Sequence, residues 1–586
     1  MVDLVDHAVL IGGLNHWGSA RGMRVIQEPR LRDALVGRMA AAALTLDLET
    51  AFREPPAGDD DDPTTACGIQ ALEFPQWFVC QDETCRALVR SELLDKKRGR
   101  LHHACSRDKT TECVPVRFVF ACRRGHCSEF PWRWFVHRKT GPCPNPAFRL
   151  EEGVTGDFSE IHVRCVCGAS EPLSAAHVRE QLPDCTGERP WLGPDGQETC
   201  DEKPRLLVRT ASNSYFTQIV SALSIPDPGK ELEDGVRGVW DVMRDATAAT
   251  LPAFRSIGKV RAALGRFTDG DVLAVVDALK AGQAGPREPL RTAEFDQFLS
   301  VPNEGPGDLP QQDDVFFARA ASAERDRPPA IRSVVVAHKL REVRAQIGFT
   351  RLEVPTANLQ GEYDMRVESA ALGLDVNWLP ATEIRGEGVF IALDEAAVRT
   401  WELRPSVEAR SSQLRAAYEA WARTVQNPPE FPGARFYMVH SLAHLLLTAI
   451  SLECGYPASA IRERIYCAPA DASRPMAAIL LSTGTSGHEG TLGGLVEQGA
   501  RITEHLRRAW DLGVLCSNDP VCAHHDPDRD PTERQLEGAA CHGCLFIAEC
   551  SCERFNRYLD RALVVPTLGR APDLAFFPVR PQWKSD

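Results

Sequence analysis

Between Leu31 and Leu46 apolar residues recur at helical spacing, and the pattern predicts a helix with one buried face. The run Glu54–Pro63 holds prolines, a glycine and four consecutive aspartates. It has no apolar area to bury, so it is expected to be a solvated loop. From Cys67 to about Arg209 the chain is aromatic, cysteine-rich and strand-like, as in Val114-Pro-Val-Arg-Phe-Val-Phe120. Ser214 to about Leu299 reads as mostly helical, with Leu273, Val276 and Leu279 on one face. A Gly/Pro/Asp loop, Pro302 to Asp314, precedes a mixed region to about Glu408. A helix is predicted over Ser412–Val425, stopped by Asn427-Pro-Pro429. Phe436–Leu452 is apolar nearly all round and ends near Gly455, the signature of a buried helix with a glycine C-cap. Ala477–Leu481 reads as a strand leading into a glycine-rich loop, 482–494, and then a helix over Leu495–Trp510.

These elements imply a mixed α/β (α+β) multidomain chain. The expected segments are 1–63, an N-terminal stretch with an acidic linker; 64–210, a cysteine-rich zinc module; 211–300, mostly helical; 301–410, mixed α/β; and 411–586, a second zinc-binding domain. A length of 586 residues suits several cores rather than one. The net charge of −14 rules out a surface-wide sheath for nucleic acid, so any such contact is local. No run of eighteen apolar residues occurs and the first residues lack a basic, apolar leader, so no membrane contact and a cytoplasmic location are expected.

Twenty cysteines without an export signal point to metal rather than disulfides. Twelve lie between Cys67 and Cys200, eight between Cys454 and Cys552, and none in the 253 residues between. In the C-terminal group Cys516, Cys522 and the pair Cys541-His-Gly-Cys544 form a tetrahedral zinc set, with Cys552 the substitute among six sulfurs that include Cys550. In the N-terminal group Cys80, Cys85, Cys105 and Cys113 would clip one zinc. Cys165, Cys167, Cys185 and Cys200 would clip a second, leaving Cys122, His126, Cys127 and Cys143 as further ligands or core. The expected cofactor is therefore Zn2+, at one C-terminal site and one or two N-terminal sites. Closed sites of this kind hold structure; a catalytic zinc keeps an open position.

Two motifs suggest other chemistry and fall short of it. His440-Ser-Leu-Ala-His444 has metalloprotease spacing, but Ser441 stands where a general-base glutamate belongs, so a core pair with satisfied ring nitrogens is expected. The 482–494 loop lacks the lysine of a P-loop, so ATP turnover is not expected. By contrast, Arg86–Lys139 carries fourteen Lys/Arg against five Asp/Glu, interleaved with Trp132, Trp134 and Phe135. Cations meet phosphates and aromatic rings stack on unpaired bases. Lys96, Lys97, Arg98, Arg100, Arg123, Arg124 and Arg133 are the candidate nucleic-acid contacts.

His440-Ser-Leu-Ala-His444, Gly493-Gly-Leu495, Cys516 through Asp519-Pro520 to Cys522, Ala540-Cys541-His-Gly-Cys544 and Cys552-Glu553 resemble the zinc-binding domain at the end of MrfA-type helicases. With Gly12-Gly-Leu-Asn-His-Trp17, Val114-Pro-Val-Arg-Phe118, Phe130-Pro-Trp132 and Gly348-Phe-Thr-Arg351, nearly the whole chain resembles the DrmB-like core proteins of the bacterial DISARM anti-phage system. The match starts abruptly at Met1, which implies a missing family-typical segment or a misplaced start. The resemblance implies no enzyme but a heterodimer with a DrmA-type helicase that engages DNA. A metal-dependent nuclease or hydrolase using His440 and His444, and a pure protein-interaction scaffold, are the alternatives.

Overall fold

In the computed structural model, residues 1–4, 7–18, 23–41, 45–56, 68–155, 157–178, 182–281, 288–301, 315–321, 328–363, 369–375, 377–425, 427–486, 494–529 and 534–581 are described. They form two units. One holds Met1–Ser221, Val343–Ala357 and Glu362–Thr382; the other holds Ala222–Glu342, Asn358–Gly361 and Glu383–Asp586. The five segments expected from the sequence are thus distributed over two bodies.

The first unit is built from short antiparallel strands. One sheet runs in the order Ser170–Pro172, His162–Cys165, Phe148–Glu151, Ala87–Arg90, Trp77–Cys80, Lys109–Pro115, Arg100–Ser106 and Asp95–Lys97. A second sheet orders Cys127–Glu129, Phe118–Ala121 and Arg205–Val208. The expected single strand over Val114–Phe120 is two, ending at Pro115 and restarting at Phe118. Proline has no N–H to give the ladder, so the strand stops there and changes sheet. Phe118, Phe120, Phe130, Trp132, Phe135 and Phe148 fill the core beside these strands. The helix Pro29–Ala41 lies where helical spacing put it, with Leu31, Leu35 and Met39 buried.

In the second unit, strand Met476–Ser486 pairs antiparallel with Ile461–Ala468 on one side and with the Glu383–Leu393 part of Leu379–Leu393 on the other. Both faces are covered. Ala477, Ile479 and Leu481 enter one core with Val389 and Ile391, while Ala478 and Leu480 enter another with Phe390. Strict alternation of the strand delivers alternate side chains to opposite cores. The first core holds helix Gly433–Cys454, whose C-cap Gly455 sits at φ 76, the left-handed conformation that glycine tolerates. By length and composition this helix is apolar enough to cross a membrane, but it is buried within the protein. The second core holds helix Leu290–Leu299 through Phe295 and Phe298.

The region read as mostly helical from Ser214 begins instead with strand Phe216–Leu223, where buried positions alternate. Helices then run from Pro228 to Leu264, and helix Asp269–Lys280 buries Val272, Val275 and Val276, with Leu273 and Leu279 at the edge of that core. Helix Pro405–Ala422 starts earlier than its predicted Ser412 because Pro405 suits a first helical position. The helix predicted over Leu495–Trp510 is two, Val496–Gly499 and Ile502–Val514.

Glu294 is fully buried and accepts from Arg464 Nε and Nη2, both at 2.7 Å, and from Tyr466 Oη at 3.1 Å. Removing one partner of such a pair strands a charge in the core. Glu294→Ala is therefore expected to destabilise the second unit by about 3 kcal/mol or more, read from the urea midpoint. A loss under about 1 kcal/mol would mean the pair contributes little.

Candidate metal centres

After helix Ile502–Val514 the chain gives up regular structure and runs through turns that converge four sulfurs. Cys516 and Cys541 Sγ are 3.4 Å apart, Cys522 and Cys544 3.8 Å, and Cys541 and Cys544 3.7 Å. All four lie within 4.8 Å of one another. A zinc with bonds of about 2.3 Å sets tetrahedral sulfurs about 3.8 Å apart, so the set fits a zinc ion. Backbone amides already face the sulfurs: Asn518 N lies 3.4 Å from Cys516 Sγ and Gly543 N 3.3 Å from Cys541 Sγ. A side chain at Gly543 would meet Ser517 Oγ at 2.7 Å, so glycine lets these turns close. Burial pushes the Cys516 thiol up to about 11, while a hydrogen bond with Cys544 and the Arg561 guanidinium pull the Cys522 thiol down to about 6. Cys550 is exposed and Cys552 is elsewhere, so neither joins the four.

Among the described residues nine of the N-terminal cysteines sort into three groups, each with a histidine. Cys80, Cys85 and Cys105 gather with His103, not with Cys113. Cys80 Sγ is 3.4 Å from Cys105 Sγ, and His103 Nδ1 is 3.4 Å from Cys85 Sγ. His103 and Cys105 are two apart on one strand and so share a face. Cys113, the cross-strand partner of Cys80, turns its thiol to Thr111 O at 3.8 Å and stands beside the group.

The expected set of Cys165, Cys167, Cys185 and Cys200 is split in two. Cys185 and Cys200 join Cys122 and His126; Cys165 and Cys167 join His137 and Cys143. His162–Cys165 belongs to the larger sheet and Arg205–Val208 to the smaller, which carries the two pairs apart. His126 Nδ1 lies 3.3 Å from Cys122 Sγ while Nε2 meets Glu198 Oε1 at 2.8 Å. A carboxylate on the far ring nitrogen orients a metal-binding imidazole. His137 Nε2 lies 3.4 Å from Cys167 Sγ while Nδ1 meets Arg133 O at 2.9 Å, the same division of labour. Gly168 follows Cys167 at φ 95, where a glycine eases the turn. Cys127 is core.

The basic zone is only partly available. Lys96, Lys97 and Arg98 are exposed on strand Asp95–Lys97 and the turn after it, and no ion pair holds them among the described residues. Arg100 pairs with Glu112 at 3.0 Å, Arg123 with Glu353 at 2.8 Å, and Arg124 with Glu198 at 3.5 Å. Arg133 donates to Cys143 O at 3.0 Å. Trp132 and Phe135 are core rather than stacking platforms; Trp134 alone of the three is exposed, at 40%. Of the 482–494 loop, residues 482–486 continue the strand and 487–493 lie outside the described residues.

Residues 1–216 match a domain of unknown function (DUF8724), and residues 442–545 match the MrfA Zn-binding domain. The DISARM protein DrmB of Bacillus paralicheniformis is 32% identical over 530 residues, covering 85% of this chain and 89% of that one. The chain belongs to the DrmB family. The crystal structure of the DUF1998 helicase MrfA bound to DNA matches at 9% identity, covering 40% of this chain and 24% of that one, with a TM-score of 0.18. So weak a likeness carries no argument. In this DrmB-family chain the four-cysteine cluster lies inside the MrfA-type segment, which gives that domain's zinc binding a set of side chains.

Structural zinc in small sites supplies on the order of 10 kcal/mol. Cys541→Ser is expected to lose about one zinc per chain or to yield insoluble protein, whereas Cys550→Ser keeps the wild-type metal content by elemental analysis. Full zinc retention in a soluble Cys541→Ser protein would remove the assignment.

Proposed function

We propose that the chain is a non-catalytic, zinc-stapled subunit that partners a DrmA-type helicase in the cytoplasm and helps the complex engage DNA in anti-phage defence. Membership of the DrmB family carries this reading. In its favour, four groups of cysteine and histidine among the described residues each bring four donors within 4.8 Å, the number that fills the tetrahedron of a structural zinc. His440 and His444, the residues a nuclease would need, are fully buried.

The DNA contact is assigned to Lys96, Lys97 and Arg98; Arg133 and Trp134, further along the chain in helix Trp132–His137, are the exposed cation and aromatic of the basic stretch Arg86–Lys139. A cavity of about 690 Å³ is lined in part by Trp77, Arg133 and Trp134, and the exposed Trp134 ring offers an unpaired base a stacking face.

Reversing Lys96, Lys97 and Arg98 to glutamate in the helicase complex is expected to weaken DNA binding without base preference. The slope of log affinity against log salt should fall by about 0.9 for each phosphate that is no longer neutralised. Fluorescence anisotropy at several salt concentrations measures it; an unchanged slope with zinc content intact would place the DNA on another surface. The chain alone is expected to turn over no ATP, and turnover that co-purifies with it through every step would overturn the accessory role.

A further inference from the structure

Only half of the satisfied core pair expected at His440 and His444 is present: His440 has partners on both ring nitrogens, His444 on one. Both rings sit one turn apart on helix Gly433–Cys454, and both are fully buried. His440 Nδ1 faces Tyr558 O at 3.3 Å and His444 Nδ1 faces Leu545 O at 2.7 Å. A carbonyl can only accept, so each Nδ1 carries a proton and the outward nitrogen of each ring is Nε2. Those two nitrogens face a carboxylate and a thiol. Glu463 Oε1 lies 2.9 Å from His440 Nε2, Cys552 Sγ lies 3.3 Å from the same nitrogen, and Glu463 Oε2 lies 3.4 Å from His444 Nε2. Glu463 is fully buried; beside the two imidazoles it accepts from Glu553 N at 3.1 Å, and no lysine or arginine pairs with it among the described residues. His444 Nε2 and Glu463 Oε2 have no hydrogen-bond partner among the described residues.

The sulfur is prepared in the manner of the four-cysteine cluster. Arg554 N lies 3.3 Å from Cys552 Sγ and Asn556 N 3.2 Å from it. The first repeats the donation from two residues ahead seen at Cys516 and Cys541. The turn that aims these amides places Phe555, Asn556 and Tyr558 at φ 53, 59 and 61, a left-handed conformation costly for non-glycine residues. Asn556 is held there by its own side chain, which accepts from Ile547 N at 3.0 Å and donates to Ile547 O at 2.9 Å.

We propose that His440, His444, Glu463 and Cys552 bind a further divalent metal ion of the zinc class, distinct from the four cysteine-rich centres. Their four donor atoms lie within 4.8 Å of one another. A cation among them gives His444 Nε2 and Glu463 Oε2 a partner and neutralises a buried carboxylate that no lysine or arginine pairs with among the described residues. Two nitrogens, one oxygen and one sulfur suit zinc and exclude magnesium or calcium, which take oxygen. With four protein donors and no exposed edge the site is structural. It joins the long helix, strand Ile461–Ala468 and the irregular segment around Cys552.

Zinc-edge anomalous diffraction from wild-type crystals of the full chain tests this without any variant. A peak about 2.0 to 2.3 Å from His440 Nε2, His444 Nε2 and Cys552 Sγ is expected. An empty cluster in zinc-replete crystals would overturn the site and leave a hydrogen-bonded core. Independently, Glu463→Gln and His444→Phe are each expected to lose about one zinc per chain while the four-cysteine centre keeps its own. Unchanged zinc in a folded variant would count equally against the proposal.

Discussion

Helix Gly433–Cys454 has no polar side, and the second unit is organised by the need to enclose it. One flank meets the sheet through Ile465, Ile479 and Leu481. Helices Pro405–Ala422 and Ile502–Val514 cover others. The remaining surface is closed by residues 534–581, which have little regular structure yet place Leu559, Leu563, Val564 and Val565 in the same core. Irregular backbone that is buried must find partners one group at a time. Asp560 does much of this: it accepts from Ala539 N, Ala562 N and Arg410 Nε, and its own N–H donates to Ser441 Oγ on the long helix. Ser441 thus anchors the wrapping segment, at the position where a metalloprotease would need a base.

The first unit solves a different problem. Its strands are short and their connections long, so ordering each turn costs chain entropy that little apolar burial repays. The candidate centres tie such connections to the strands that carry Cys80, Cys105 and Cys165. Cys85 follows the turn at Asp82, whose carboxylate accepts from Thr84 N at 3.0 Å and Cys85 N at 2.8 Å. Cys185 and Cys200 bring a segment with only short 3-10 turns back to Cys122. Cross-links between segments far apart in sequence remove the most freedom from the unfolded chain.

Much of the second unit is legible in the sequence. The helix at Gly433–Cys454 and its glycine cap follow from apolar residues on all sides and a left-handed stop, both local signals. The Cys541-His-Gly-Cys544 pair is local too, and its partners Cys516 and Cys522 lie only one segment away. The N-terminal ligand sets are not legible, because membership depends on strand order and register. Nothing near Cys165 says that strand His162–Cys165 belongs to one sheet while the chain before Arg205 serves the other. The histidines are harder still, since imidazole is ordinary in cores. A usable sign is present in His103-Ala-Cys105, where two donors two apart share one strand face.

Family matching and chemistry draw different borders in the C-terminal unit. The MrfA-type match spans 442–545, so it contains the four cysteines but stops short of His440 at one end and Cys552 at the other. The two clusters nevertheless share a backbone: Cys544 gives its sulfur to the four-cysteine group, and the next residue, Leu545, receives His444 Nδ1 through its carbonyl at 2.7 Å. Displacing that peptide group would disturb a thiolate and an imidazole together. Ile547, two residues on, holds Asn556 in the turn that donates to Cys552. A single stretch from Cys541 to Asn556 therefore sets the geometry of both clusters.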